Sequence, residues 1–253
     1  MGGAPPSCAA AAVDDVREPA EAAFAPIPEA AFAVLLFARH AKQQSGAHRR
    51  PDDERDPPLS ELGEAQASAL AARLSSVLPS GTPVWSSPMW RARSTARPLA
   101  RALEVPLRIH GGIFEYKSTA GRPAAELQRA EESEDVVIDP RHFGDDGAWA
   151  LAAVETSDAD AGARARAAAA EHWIETDLLE AASRGVAAVI VSHQTFLDLL
   201  LQRLLLRDER GWRYGSPRYK ISHAGLIAVA VERGSDSVVY THVDFADVAG
   251  WLR

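Results

Sequence analysis

Two arginines and two histidines of this chain lie where strands should end. Arg39 and His40 close the run AFAVLLF, Arg91 lies just beyond the short segment 83–85, and His193 ends VAAVIVSH. A guanidinium can hold two oxygens of an oxyanion with parallel hydrogen bonds, and a neutral imidazole is a nucleophile or proton carrier. Such a concentration of positive charge exceeds what a neutral substrate needs, and a phosphoryl group is the fitting guest. At about 4 Å and an effective dielectric of about 20, one such charge pair is worth about 4 kcal/mol before desolvation.

For these groups to meet, several strand ends must share one edge, and the pattern of elements provides for that. Residues 34–37 are an apolar run of strand length, consistent with a strand covered on both faces. The charged, proline-containing stretch 48–58 reads as a loop. Ser60 caps a helix running to about residue 78, with Leu62, Ala65, Ala69, Leu70, Leu74 and Val77 at helical spacing. After a strand at 83–85, Ser87 before Pro88 reads as an N-cap with proline at the first helical position, and Pro98 should kink or divide that helix. A strand near 107–110, a helix around 124–130, an Ala-rich helix over about 160–182 and a buried strand over 186–191 follow. Thr195 and Asp198 make a box-like cap for a leucine-rich helix ending near Arg207. Residues 221–232 and 237–243 read as an antiparallel pair closing the fold.

Strands alternating with helices predict an α/β fold: a three-layer α/β/α domain around a mostly parallel central sheet. Ligands of such sheets bind outside the carboxyl ends of the strands, where Arg39, His40, Arg91 and His193 would converge. The helices after Ser87 and His193 would aim their free N-terminal amides there as well. Arg91, in a first helical turn where a cation is disfavoured, calls for an anionic partner.

The 253 residues, 47% hydrophobic and 25% charged, describe a soluble globular chain. Residues 32–253 read as one domain, and 1–31, rich in Ala, Pro and acids without a period, as a disordered lead-in. No uncharged apolar run approaches bilayer length. Cys8 is the single cysteine, which excludes an internal disulfide and points to a cytoplasmic setting. Asp14, Asp15, Glu18, Glu21 and Glu29 argue against a transit or export peptide. A net charge of −8 disfavours nucleic acid and anionic membranes as partners, so an anionic ligand must be held by a local cluster of positive groups. The expected partner is a small phosphorylated substrate; the oligomeric state is not legible.

RHA at 39–41, PLSELGEAQA at 58–67, SSPMWRARSTA at 86–96, Glu115 and VSH at 191–193, taken in order, resemble the histidine phosphatase superfamily, the clan of the cofactor-dependent phosphoglycerate mutases and many phosphatases. The resemblance covers roughly residues 34–206. It implies that His40 is the nucleophile, Arg39 and Arg91 are phosphate clamps, His193 is the second histidine and Glu115 is the proton donor. No metal or cofactor is implied. Two positions depart from the common pattern. Ala41 stands where the family most often has Gly, and Gln194 replaces the usual Gly after the second histidine. Gln194 is expected to line or narrow the pocket or to hydrogen-bond the substrate, and Lys42 is expected at the substrate too.

Arg141 and His142 repeat the Arg-His dipeptide without the flanking motifs and read as a loop pair. Glu126, Glu131 and Glu132 read as solvated helix face. His48, His110, His172, His223 and His242 are scattered without ligand spacing, which gives no metal site. Mutases of the clan typically follow Arg-His-Gly with Glu-Ser and carry an Arg-Arg-Ser motif before the second histidine. Here Lys42 and Gln43 follow Ala41, and 129–180 lacks that motif. The expected activity is therefore phosphomonoester hydrolysis, with a phosphoglycerate mutase-type phosphotransferase or an inactive phosphate-binding protein as alternatives.

Overall fold

The apolar run at the start of the domain becomes a strand buried on both sides. Val34, Leu36 and Ala38 face one hydrophobic cluster, while Ala33, Leu35 and Phe37 face another. Alternate residues of a strand point to opposite faces, so an apolar residue at every position means a helical layer on each side. The computed structural model describes residues 25–44, 56–115, 136–138, 159–182, 184–207, 217–235 and 237–252. The lead-in to residue 24, most of the loop expected over 48–58, the helix expected at 124–130, and Arg141 with His142 lie outside the described residues.

In chain order the elements are β1 (Ala31–Arg39), α1 (Glu61–Ser75), β2 (Val84–Ser86), α2 (Trp90–Ala102), β3 (Leu107–Ile109), β4 (Val136–Ile138), α3 (Ala159–Trp173), β5 (Gly185–Ser192), α4 (Gln194–Leu201), β6 (Leu226–Arg233), β7 (Val238–Val243) and α5 (Phe245–Trp251). The sheet order is β4-β3-β2-β5-β1-β6-β7. The first five strands of that order are mutually parallel, and β6 and β7 add an antiparallel edge. Helices α1, α2 and α5 cover one face, with Leu70, Leu74, Ala96, Leu99 and Val248 in the core. Helices α3 and α4 cover the other through Ala170, Trp173, Phe196, Leu197 and Leu200. The chain thus forms the three-layer α/β/α arrangement around a mostly parallel sheet.

Several boundaries differ from expectation for identifiable reasons. Helix α2 begins at Trp90, with Met89 rather than Ser87 at its N-cap. The Ser87 hydroxyl is 2.7 Å from His193 Nε2 and only 3.3 Å from the Met89 N–H. The carboxylate of Asp56, from the segment between β1 and α1, accepts from the Trp90 N–H at 2.6 Å instead. Pro98 lies within α2 without dividing it. Helix α4 starts at Gln194 with His193 at its N-cap, because Asp198 is buried and committed to the Tyr219 N–H and to Gln202. The long helices expected over 160–182 and up to Arg207 each finish in a π-helical turn, Ile174–Leu178 and Gln202–Leu206. Residues 221–225 are not strand but form the turn that precedes β6.

Helix α1 packs unusually close to the chain just after β1. The Lys42 carbonyl accepts from both the N–H and the hydroxyl of Ser60, the residue that caps α1 through the Gly63 N–H. A Cβ on Gly63 would lie 2.0 Å from the Lys42 oxygen, so this glycine is required by close approach. Gly63→Ala is expected to cost about 3 kcal/mol by overpacking, which corresponds to a drop of roughly 6–12 °C in Tm for a chain of this size. Calorimetry that finds an unchanged Tm would show that α1 can retreat freely.

Candidate active site

The carboxyl end of β1 delivers Arg39 and His40 to the sheet edge, flanked by the end of β5 and by the turn entering β6. The His40 N–H donates to the Ser192 carbonyl (2.9 Å), continuing the β1–β5 ladder one residue past the strand. His40 Nδ1 is 2.8 Å from the Ala41 carbonyl. A carbonyl can only accept, so Nδ1 carries the proton and the Nε2 lone pair points away from the backbone. Arg91 donates from Nε to that Nε2 at 3.3 Å. The His193 ring lies 5.0 Å from the His40 ring, centroid to centroid. Thr95 supports the arrangement: its hydroxyl donates to the Arg91 carbonyl and accepts from the Ala41 N–H. Four of the residues singled out by type and position, Arg39, His40, Arg91 and His193, therefore meet at one place.

The other three take different positions. Glu115 follows the 3₁₀ turn Gly111–Ile113, whose last carbonyl accepts from the buried Ser192 hydroxyl at 2.6 Å. That bond ties the Glu115 segment to β5. Burial lowers the Arg39 pKa and the nearby Glu115 carboxylate opposes that shift, while Arg91 adds to it. Lys42 is half-buried beside His223, with its backbone N–H held by Gln66. The Gln194 amide is engaged with the main chain, donating to the Tyr219 carbonyl (2.6 Å) and accepting from the Ile221 N–H (2.8 Å). Ala41, the other departure from the common pattern, buries its methyl with Leu59 and Ala67 under α1.

Three further side chains complete the site. Asp56 forms an ion pair with Arg91 Nη1 at 3.0 Å, both side chains nearly inaccessible, so the anion expected beside a first-turn arginine is this carboxylate. His223, from the turn before β6, has Nε2 3.1 Å from Arg39 Nη2 and its ring 5.6 Å from that of His40. Arg166 of α3 stacks on Phe114 at 3.9 Å and contributes to the field at His193. Asp56 and His223 sit in loops where periodicity carries no signal. The first-turn position of Arg91 was the one hint that an acid had to be near.

The electrostatics follow from burial among cations. Desolvation first, then the Arg91 guanidinium, pushes the His40 pKa down to about 3. His193, fully buried, is pulled well below the usual imidazole value by the same two causes. Both rings are therefore neutral at physiological pH, as a nucleophile must be. Arg39 Nε and His193 Nδ1 are buried without a hydrogen-bond partner among the described residues. The Arg39 Nε–H is necessarily a donor; buried and unmet, such a group costs about 1–3 kcal/mol and suits an acceptor-rich ligand. Among the described residues, no group of three or more His, Cys, Asp or Glu could hold a metal ion, and no helix is long and apolar enough to cross a membrane.

A consequence for stability can be measured. Unfolded histidine titrates near 6.5 whereas folded His40 does so near 3, so below pH 6.5 the unfolded chain binds a proton that the native state refuses. Stability should fall as pH drops through this window, with His40 alone contributing about 1.4 kcal/mol per pH unit. Thermal unfolding between pH 7.5 and 4.5 should show Tm falling, and less steeply in His40→Asn. Parallel curves for the two proteins would exclude His40 as a source of the acid sensitivity.

Comparison with known proteins agrees with this construction. A family model described as the histidine phosphatase superfamily (branch 1) matches residues 35–243. No curated protein matches the sequence. Among solved structures, a mycobacterial glucosyl-3-phosphoglycerate phosphatase complexed with VO3 is similar, with 18% identity and a TM-score of 0.53 over 84% of this chain and 98% of that one. The ecdysone phosphate phosphatase of Bombix mori in complex with tungstate is similar at 19% identity and TM-score 0.53, covering 84% and 92%. At these identities the likeness speaks to the fold. The family match reaches from inside β1 to the end of β7 and so spans every strand that frames the His40 pocket, and the chain belongs to branch 1 of the histidine phosphatase superfamily.

Proposed function

We propose that the protein is a phosphomonoesterase that works through a phosphohistidine on His40. The observation that carries this reading is the pairing of a neutral Nε2 lone pair on His40 with the guanidinium of Arg91 and with that of Arg39, whose buried Nε has no hydrogen-bond partner among the described residues. In the first step Nε2 attacks phosphorus, the bond from phosphorus to the ester oxygen breaks, and Glu115 gives its proton to the departing alcohol. In the second step water attacks phosphorus, the ionised Glu115 takes the water proton, and the P–N bond returns its electrons to His40, releasing phosphate. Arg39, Arg91 and His193 hold the non-bridging oxygens throughout and stabilise the charge spread over them. Neither step calls on a metal or cofactor.

Hydrolysis is favoured over mutase-type transfer by Lys42-Gln43 after Arg39-His40-Ala41, and the two phosphatases of like fold agree with it. The substrate class is a small phosphorylated molecule, and the lone Cys8 suits the cytoplasm. The test is turnover of an aryl phosphate, with the enzyme quenched in alkali to preserve an acid-labile phosphoramidate. Release of phosphate together with a trapped phosphohistidine is expected. Phosphate binding without turnover at any pH would instead identify an inactive phosphate-binding protein.

A further inference from the structure

Arg39 is held from behind by a segment that no motif pointed to. Its guanidinium has three nitrogen donors. Nη1 donates to the Ile221 carbonyl at 2.9 Å, Nη2 donates to His223 Nε2 at 3.1 Å, and Nε is buried without a hydrogen-bond partner among the described residues. Arginine cannot accept a hydrogen bond, so His223 must be neutral with its proton on Nδ1. Burial, together with Arg39 and Lys42, keeps it in that form by lowering its pKa to about 4. Two anchors on the Nη side fix the plane of the guanidinium, which a single anchor would leave free to swivel.

The anchors are themselves fastened. The Ile221 N–H is held by Gln194 Oε1, Gln194 Nε2 donates to the Tyr219 carbonyl, and the Tyr219 N–H donates to buried Asp198. On the far side of His223, Ala224 adopts a left-handed conformation (φ 56°), and its N–H donates to the Arg39 carbonyl at 3.1 Å. The Gly225 carbonyl accepts from the Arg39 N–H at 3.1 Å. The turn is thus bolted to the main chain of the very residue whose side chain it steadies.

Building on the phosphatase reading, we propose that His223 is a positioning residue for the phosphate clamp: by accepting from Arg39 Nη2 it fixes the guanidinium so that Nε is the donor presented to a phosphoryl oxygen. Gln194 serves the same end through Ile221. The position that departs from the family's usual Gly thereby holds the clamp rather than the substrate.

The test measures the affinity of inorganic phosphate by calorimetry, with aryl phosphate kinetics and Tm alongside, in the full chain. Loss of a hydrogen bond to a charged group predicts that His223→Ala weakens phosphate binding about tenfold and raises KM similarly, with kcat changing less than about threefold. His223→Gln, whose amide oxygen reaches about as far as Nε2, should restore affinity, and the shorter His223→Asn should not. In a double-mutant cycle, Arg39→Ala with His223→Ala should bind phosphate no worse than Arg39→Ala alone. Equal affinity in His223→Ala and the parent, additive losses in the cycle, or equal rescue by Asn and Gln would overturn the assignment. If His223→Ala does not fold, the Gln and Asn variants decide. Should Arg39→Ala itself leave phosphate binding untouched, the phosphatase reading fails; if only His223→Ala does so, the positioning role alone falls.

Discussion

His40→Ala should lower turnover of an aryl phosphate by at least about 10⁴-fold, since the covalent route disappears with its nucleophile. The loss should be confined to chemistry. Arg39, Arg91 and His193 remain in place, and inorganic phosphate should bind the variant within about tenfold of the parent, because removing the imidazole leaves the charged clamp intact. No phosphoramidate should be trapped after alkaline quenching. Activity within tenfold of the parent would mean that the phosphoryl group never resides on His40, and the His193 ring 5.0 Å away would become the alternative acceptor.

Glu115→Gln should discriminate between leaving groups. An alkoxide cannot depart from phosphorus without a proton, whereas a nitrophenolate can. General acid catalysis is typically worth about 10²–10⁴-fold, so the phosphorylation step should slow by that factor with an alkyl phosphate and by less than about tenfold with the aryl ester. The comparison belongs in single-turnover experiments, because the same carboxylate is the base for hydrolysis of the phosphoenzyme and its loss slows the second step for every substrate alike. Uniform slowing of the first step across leaving groups would show that another residue supplies the proton.

What could be read from the sequence divides along a physical line. The alternation of apolar runs with helical spacing, the Ser60 cap and the Arg-His and Val-Ser-His strand ends are local signals, and they placed the sheet edge where Arg39, His40, Arg91 and His193 meet. Glu115 rested on family resemblance, since a lone glutamate after a short turn has no local signature. Asp56 and His223 escaped because their value depends on partners 35 and 184 residues away. His223 is one of several scattered histidines without ligand spacing, and such spacing bears on metals and is silent about arginine. Ser87 looked like a helix cap and is instead a partner of His193, because the carboxylate of Asp56 performs the capping from outside the helix.

The pairing of β1 has a consequence for how the protein comes into being. Arg39 stands opposite Ser192 on one side, and Ala38 opposite Leu226 on the other. No neighbour of this strand is close in sequence, so both closures are long loops, which slow folding far more than they weaken the final state. On the ribosome the strand bearing His40 emerges well before either of its partners. Without β5 and the turn before β6, that imidazole lacks the Ser192 carbonyl, the His193 ring and the His223 ring beside it, although Arg91 and Thr95 on α2 have already been made. The enclosure of His40 therefore depends on the parts of the chain that are made last.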